Sequence, residues 1–352
     1  LFAYIVRRLL YLPLVIFGVT IFIVLLLQLL TPQQRAAAFV TSEQQLRNLD
    51  AVVRQYRLDE PFHVQYGIWL REVLRGNLGY SRASREPVLT TLRRRFPATL
   101  ELAILAFFPV VGVGIWLGSV AAFNRDKPID QFTRVMAVLG WSIPTFVLGI
   151  WLLVIFYGAL GEFFRNFLGG FFRFEPGRLP TRYTIQVASG GFRQFTGMMT
   201  LDALLNGRLD IFWDALRHLI LPVVTLATVS SALIMRVMRG SLLDTLSQDY
   251  VRTARAKGLT EQTVRFKHAR RNALIPVITL AGFTFIGLLN GVVITETVFN
   301  YPGLGQWGAA AASALDYPGI MGFTLVTAVI VVIGNLLVDI LYSVIDPRIR
   351  YD

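Results

Sequence analysis

Residues 9–30 read LLYLPLVIFGVTIFIVLLLQLL, 22 residues in a row without a charge. At about 1.5 Å per residue such a run is a helix of roughly 33 Å, long enough to cross a hydrocarbon core of about 30 Å. Arg7 and Arg8 precede it and Ala36-Ala37-Ala38 follow it, the order of a secretory signal and its cleavage site. A signal core, however, is only about 7–15 residues, so the run is read as a membrane span.

The rest of the chain asks for the same solvent. Of 352 residues, 54% are hydrophobic and only 16% charged, with a mean hydropathy of +0.56, more apolar and less charged than soluble domains. Further apolar runs place spans at 98–123, 135–160, 214–238, 277–298 and 319–345, six in all. The net charge of +12 is read as the Lys and Arg excess of membrane loops rather than as a nucleic-acid surface. With no cysteine in the chain, disulfide scaffolds, thiolate zinc sites, iron–sulfur ligation and a cysteine nucleophile are excluded.

Loop charge sets the orientation. The 239–275 connection carries Arg239, Arg252, Arg255, Lys257, Arg265, Lys267, Arg270 and Arg271, whereas 299–318 has no Lys or Arg. The first is therefore expected in the cytoplasm and the second outside, which puts both termini and the 124–134 loop in the cytoplasm. Arg-rich 31–97 then lies outside, against a bias that long loops do not obey. Its apolar periodicity (Leu46, Leu49, Val53, Tyr56; then Tyr66, Trp69, Leu70) makes it a small folded cap. The expected fold is an all-α polytopic membrane protein with six transmembrane helices. In order it has 1–30 (N-terminus and first span), 31–97 (external cap), 98–160 (second and third spans), 161–213 (an external insertion partly ordered by partners), 214–345 (last three spans with the cytoplasmic loop 239–275) and 346–352 (cytoplasmic tail).

Several spans carry helix-weakening residues: Pro109, Pro144, Pro222, Gly114-x-x-x-Gly118 and Gly287-x-x-x-Gly291. Such residues let helices approach closely, and they also recur where a solute path opens. Pro144, Gly287, Asn290 and Gly291 are the candidates for either role. Glu101, Asp214, Arg236 and Asp339 fall near span ends and are expected to reach water.

The loop with most chemistry is SQDYVRTARAKGLTEQTVRFKHARRNALIP, residues 247–276. It reads as two short helices with a hinge. Ser247 is the expected cap of the first, Asp249 lies in its first turn, Arg255 and Lys257 in its last, and Gly258 ends it in the left-handed region. Thr260 caps the second, which is expected to stop at Pro276. A basic helix–Gly–helix also suggests a DNA-binding pair, but these helices are tethered to spans at both ends and have no room to enter a groove. The small residues Ala254, Ala256 and Gly258 beside Arg252 and Thr253 suit a helix lying flush in a partner's groove.

Here the sequence resembles a family over nearly its whole length: the inner-membrane permeases of ATP-binding-cassette (ABC) importers, of the dipeptide, oligopeptide and nickel type. The motifs are RRLL (7–10), LDEPF (58–62), GNLGYS (76–81), PATL (97–100), YVRTARAKGL (250–259) with RNALIP (271–276), ETVF (296–299) with PGLG (302–305), and VIDPRIR (344–350). The broader importer signature has Glu-Ala-Ala where this chain has Arg252-Thr253-Ala254, a departure typical of the peptide branch. The resemblance implies a peptide permease, with nickel or another small solute as the alternative cargo. It implies that Asp249, Tyr250, Arg252, Thr253, Ala254, Arg255, Ala256, Lys257 and Gly258 dock on an ATPase subunit. It further implies a second homologous permease, two ATPases that hold ATP and Mg (this chain binding no cofactor and catalysing nothing itself), and an external solute-binding protein, touching Pro302, Gly303 and Gly305.

Other signals point nowhere. Gly303-Leu-Gly-Gln-Trp-Gly308 fits a dinucleotide fingerprint but has no βαβ unit around it, and the chain has no phosphate-cradling loop of its own. His63, His218 and His268 are too scattered for a metal site. A stand-alone secondary transporter would need a deep ion-coupling carboxylate and an intramembrane enzyme a nucleophile–base pair; the spans offer neither.

Overall fold

A computed structural model describes residues 2–40, 42–161, 163, 174–179, 181–188, 190–290 and 292–345. Its frame is six long helical units. α1 (Phe2–Leu27) is followed by four short helices, α2 (Pro32–Ala36), α3 (Glu43–Leu46), α4 (Leu49–Gln55) and α5 (Phe62–Leu74), and by an antiparallel ribbon, β1 (Tyr80–Ser81) with β2 (Glu86–Pro87). Then come α6 (Val88–Phe123), α7 (Pro128–Ser142) and α8 (Thr145–Leu153, prolonged by a π-turn over Val154–Ala159). Two short helices follow, α9 (Thr181–Ala188) and α10 (Met199–Leu205), before the longest, α11 (Leu209–Leu246). The last group is α12 (Asp249–Ala256), α13 (Glu261–Thr263), a π-turn (Val264–Ala269) running into α14 (Arg270–Leu289), α15 (Val293–Val298), α16 (Leu304–Ser313) and α17 (Tyr317–Ile345).

Among the described residues, five units are long and apolar enough to cross a membrane, and the pair α7–α8 makes a sixth that is bent by 95°. The expected third span, 135–160, is thus two helices. Pro144 has no N–H to give and biases Ile143 out of the helix, to φ −78°, ψ 122°. The expected fifth span, 277–298, is also corrected: α14 ends at Leu289 and α15 is a separate short helix. The reason is Glu296, which lipid would not tolerate and which the break carries, within α15, to a buried position among protein donors. Pro276, expected to end a helix, lies inside α14; its fixed φ fits a helix, and only one hydrogen bond is lost.

Between lipid-embedded helices there is little hydrophobic drive, so close packing must hold them. Gly114 and Gly118 of α6 meet this need: an added Cβ would press on Ile234 and Ser231 O, or on Met235 O and Met238, of α11. Gly287, by contrast, has nothing among the described residues within 4 Å of an added Cβ, so it packs on no other helix of this chain, and Gly291 lies outside the described residues. The cap has a core of its own, in which Ala36, Phe39, Val40, Val52, Leu58 and Trp69 pack on Val24 and Leu27 of α1. It is tied to the bundle where Ser81 donates to Asp316 at 2.5 Å, Ala83 N donates to the same carboxylate at 3.1 Å, and Trp307 Nε1 donates to Ser81 at 3.2 Å.

The described residues of the 161–213 segment pack on the rest of this chain. Phe192, Met199 and Ala203 pack against Ile211 and Ala215 of α11, and Gly177 N donates to Phe299 O at 2.7 Å. The tail 346–352 lies outside the described residues.

Candidate functional site

At one end of the bundle, α12 stands between α11 and the second loop helix. Asp249, Tyr250, Arg252, Thr253, Arg255, Ala256, Lys257 and Gly258 are exposed. Ala254 is the exception: with Val251 it is buried against Val264 and Leu246, so it seats α12 on its own chain and offers no surface to a partner. Val251 and Val264, which sequence reading passed over, are the anchors. Their signal was the apolar side of a strongly polar helix, three residues apart at 251 and 254.

The caps differ in one respect from expectation. Gln248, whose side chain makes no capping bond and instead donates from Nε2 to Asp244 O at 3.4 Å, stands at the N-cap of α12, while the Ser247 hydroxyl donates back to Asp244 O at 2.7 Å. Gly258 does take the left-handed conformation, φ +77°, with nothing within 4 Å of an added Cβ; the backbone, not crowding, calls for glycine there. Thr260 accepts from Thr263 N at 3.4 Å and so caps α13. The two helices are latched by Arg255 Nε on Glu261 at 2.7 Å, and Asn272 donates to the Tyr250 hydroxyl at 2.8 Å. Through the π-turn Val264 and Ala269, five residues apart, are both fully buried, a spacing that an α-helix would put on different faces.

A buried ion pair fastens this end. Asp130, wholly buried at the start of α7, accepts from Arg239 Nε at 2.8 Å and Nη2 at 2.7 Å, and from Asp126 N at 3.1 Å. The rings of Phe123 and Phe266 meet at a tilt, 5.6 Å between centroids, with Arg265 5.4 Å above the Phe123 ring. The 124–128 turn is thus attached to the loop that carries α12.

At the other end, the structure corrects Glu101, expected to reach water. It is 2% exposed and takes Arg178 Nε and Nη2 at 3.2 and 2.6 Å, the Tyr301 hydroxyl at 2.9 Å and Thr200 N at 2.5 Å. Burial first, then the neighbouring carboxylate, pushes the Tyr301 phenol well above its ordinary range, so it stays a neutral donor. Nothing in the local sequence marks Arg178 as Glu101's partner, 77 residues away. Asp214 is likewise buried, whereas Arg236 is exposed as expected.

Gly303 and Gly305, expected on the contact surface for a binding protein, are buried and so correct that reading; Pro302 is half-buried. Gly303 lies against the Glu296 carboxylate and Gly305 against Val293. Glu296 accepts from the Thr99 hydroxyl at 2.7 Å and from Gln306 N at 2.8 Å, and its burial still holds the carboxyl above the ordinary range. The glycines shape a turn around this carboxyl.

Known proteins share this plan. The family described as the binding-protein-dependent transport system inner membrane component matches residues 114–351, and the N-terminal part of such membrane components matches residues 1–103. The chain belongs to this permease family. It is 42% identical over 307 residues, 86% of each chain, to the probable D,D-dipeptide transport system permease protein of Escherichia coli (strain K12). It is 37% identical over 351 residues, 99% of each chain, to the dipeptide transport system permease protein of Alkalihalophilus pseudofirmus. Its fold is similar to that of a chain in an inward-facing MetNI methionine ABC transporter, with a TM-score of 0.50 and 18% identity over 73% of this chain and 96% of that one. This permease is therefore a multi-pass inner-membrane component of an ABC importer, a transport subunit and not a known enzyme, and it works with the other components of such a system.

Proposed function

We propose that this permease forms half of the pathway of a peptide importer and that α12 receives the stroke of an ATPase subunit. The observation that carries the reading is the form of α12: a short helix with an exposed polar face, seated by Val251 and Ala254 and hinged at Gly258. Peptide cargo follows from the likeness to dipeptide permeases. A second, homologous permease completes the pathway. Two cytoplasmic ATPases hold ATP and Mg, this chain binding neither, and an external solute-binding protein delivers cargo to the cap side. The charge bias of 239–275 against 299–318 supports placing α12 and both termini in the cytoplasm.

In mechanism, closure of the ATPase pair on ATP displaces α12. Because α12 is packed on Val264 and latched through Glu261, the push passes to α14 and, through Arg239 and Asp130, to α7. The ATPase state thereby biases a two-state pore. Reconstitution of the full complex tests this. Peptide with its binding protein should stimulate ATP hydrolysis, and Gly258→Val, strained at its positive φ, or Ala254→Trp, which unseats α12, should cut uptake per ATP by roughly 5- to 150-fold, the usual range of a coupling energy. Wild-type uptake in both variants would sink the proposal.

A further inference from the structure

Hydroxyls in these helices are mostly silenced by their own backbone. Ser119, Thr133, Ser142, Thr225, Thr228 and Thr284 each donate to the carbonyl four residues earlier, at 2.7–2.9 Å, the usual way to hide a hydroxyl from lipid. Thr145, Ser230 and Thr295 do not: among the described residues their hydroxyls have no hydrogen-bond partner, and all three line one cavity of about 340 Å³, together with Leu226, Val292 and Val293. Three elements converge there. α8 begins at Thr145 just past the Pro144 break, α15 begins at Val293 just past the end of α14, and Ser230 is on the middle of α11. Backbone that leaves the helix at membrane depth is tolerated only where protein buries it or a water-filled cavity meets it.

We infer that this cavity is a subsite for the main chain of a peptide in transit, an assignment that rests on the peptide reading above. A peptide main chain offers a donor and an acceptor at almost every residue, whatever its sequence, and a hydroxyl can answer either. Among the described residues the lining has no charged side chain, so it selects neither cation nor anion and discriminates little between side chains. Its volume is at the lower end of small-molecule sites, which run from about 300 to 1,000 Å³, and is roughly ten times a water's share of liquid: room for one or two residues of a chain that moves on. Weak, repeated hydrogen bonds suit passage, because a site that holds its solute tightly does not release it. Thr145, Ser230 and Thr295 are the positioning residues.

Two arms test the assignment in the reconstituted complex. The chain has no cysteine, so Thr145→Cys, Ser230→Cys and Thr295→Cys give unique thiols in this subunit. Each should react with a charged, membrane-impermeant methanethiosulfonate far faster than Leu14→Cys on the exposed face of α1, and a transported dipeptide library should slow that reaction. Thiols as silent as the Leu14 control would mean that lipid or a neighbouring helix fills the cavity, and would overturn the proposal. In the second arm, Thr145→Val, Ser230→Ala and Thr295→Val keep shape while removing one hydroxyl each. Uptake, as kcat/KM, should fall about 2- to 12-fold per hydroxyl, the net worth of a hydrogen bond made in competition with water, with assembly of the complex retained; unchanged uptake in the triple variant would overturn it. If no peptide in the library stimulates wild-type ATP hydrolysis, the peptide reading fails and takes the ligand named here with it, while reactive thiols would still mark an aqueous route.

Discussion

At Gly303 the chain passes so close to the Glu296 carboxylate that an added Cβ would overlap it, although the backbone there is extended and any residue could adopt it. The glycine answers to space, not to conformation. Gly258 is the opposite case, with open surroundings and φ +77°. The distinction has a thermodynamic consequence. Gly303→Ala must push Glu296 away from Thr99 and Gln306 and should cost about 1–3 kcal/mol, the range of overpacking, seen as a lower unfolding midpoint in detergent. Gly287→Ala, in a helix with nothing within 4 Å, should be neutral or stabilise by up to about 1 kcal/mol. Equal midpoints for the two variants would contradict this account. From the sequence Gly258 was marked by its place at a helix end and Gly303 only as a contact for a binding protein; the neighbour across the turn is what shows that Gly303 answers to space.

At the scale of the element, the decisive feature is that helices break where polar groups must be housed. α7 and α8 part at Pro144, a proline visible in the sequence as a weak point, though Pro109 and Pro222 of the same kind lie within unbroken α6 and α11. The end of α14 was not visible, because the run from 277 to 298 carries no charge before Glu296 and a hydropathy window reads through it. What ends the helix is tertiary: Glu296 needs donors that come from Thr99 and from residues 305 and 306. The α12 loop was legible for the complementary reason. Its caps, charges and Gly258 are local chemistry, so its helices and hinge follow from the sequence, whereas the inward turn of Ala254 depends on Val264 folding back over it. The same dependence holds for α7, whose first turn is fixed by Arg239 from α11. Asp130→Ala leaves that guanidinium, its side chain 21% exposed, without its carboxylate. The cost should be about 2–4 kcal/mol, somewhat below that of breaking a fully buried pair, with weakened protection of 124–134 in hydrogen exchange. Adding Arg239→Met should recover part of the loss, since removing both partners leaves no stranded charge; a double variant worse than the sum of the singles would refute the pairing.

On the scale of the whole molecule, two charged clusters sit at opposite ends of one bundle. Asp130 with Arg239 fastens the α12 end, and Glu101 with Arg178 fastens the cap end. Six spans, their order and the position of the loop could be read from apolar length and loop charge, since lipid imposes those patterns on every residue of a span. The clusters could not, because each joins residues far apart in sequence whose separate surroundings look like ordinary span ends. The second cluster determines how the 174–205 segment is held. Arg178 bonds Glu101 twice and Gly197 O at 2.7 Å, while Thr200 N and the Tyr301 hydroxyl close on the same carboxylate, so one acid gathers the inserted segment, α6 and the turn before α16. Arg178→Met would remove the only cation among these contacts and leave Glu101 buried with neutral donors alone, at a cost of about 3–5 kcal/mol. The expected result is localised: faster proteolysis between residues 190 and 198, where the described chain has no regular helix, with the spans still inserted and the cap core around Trp69 still protected. Glu101→Gln in the same background should slow cleavage again by relieving the stranded charge. Cleavage at the wild-type rate in Arg178→Met would show that the apolar contacts of Phe192 and Met199 with α11 suffice to hold the segment, and that the ion pair is not its clamp.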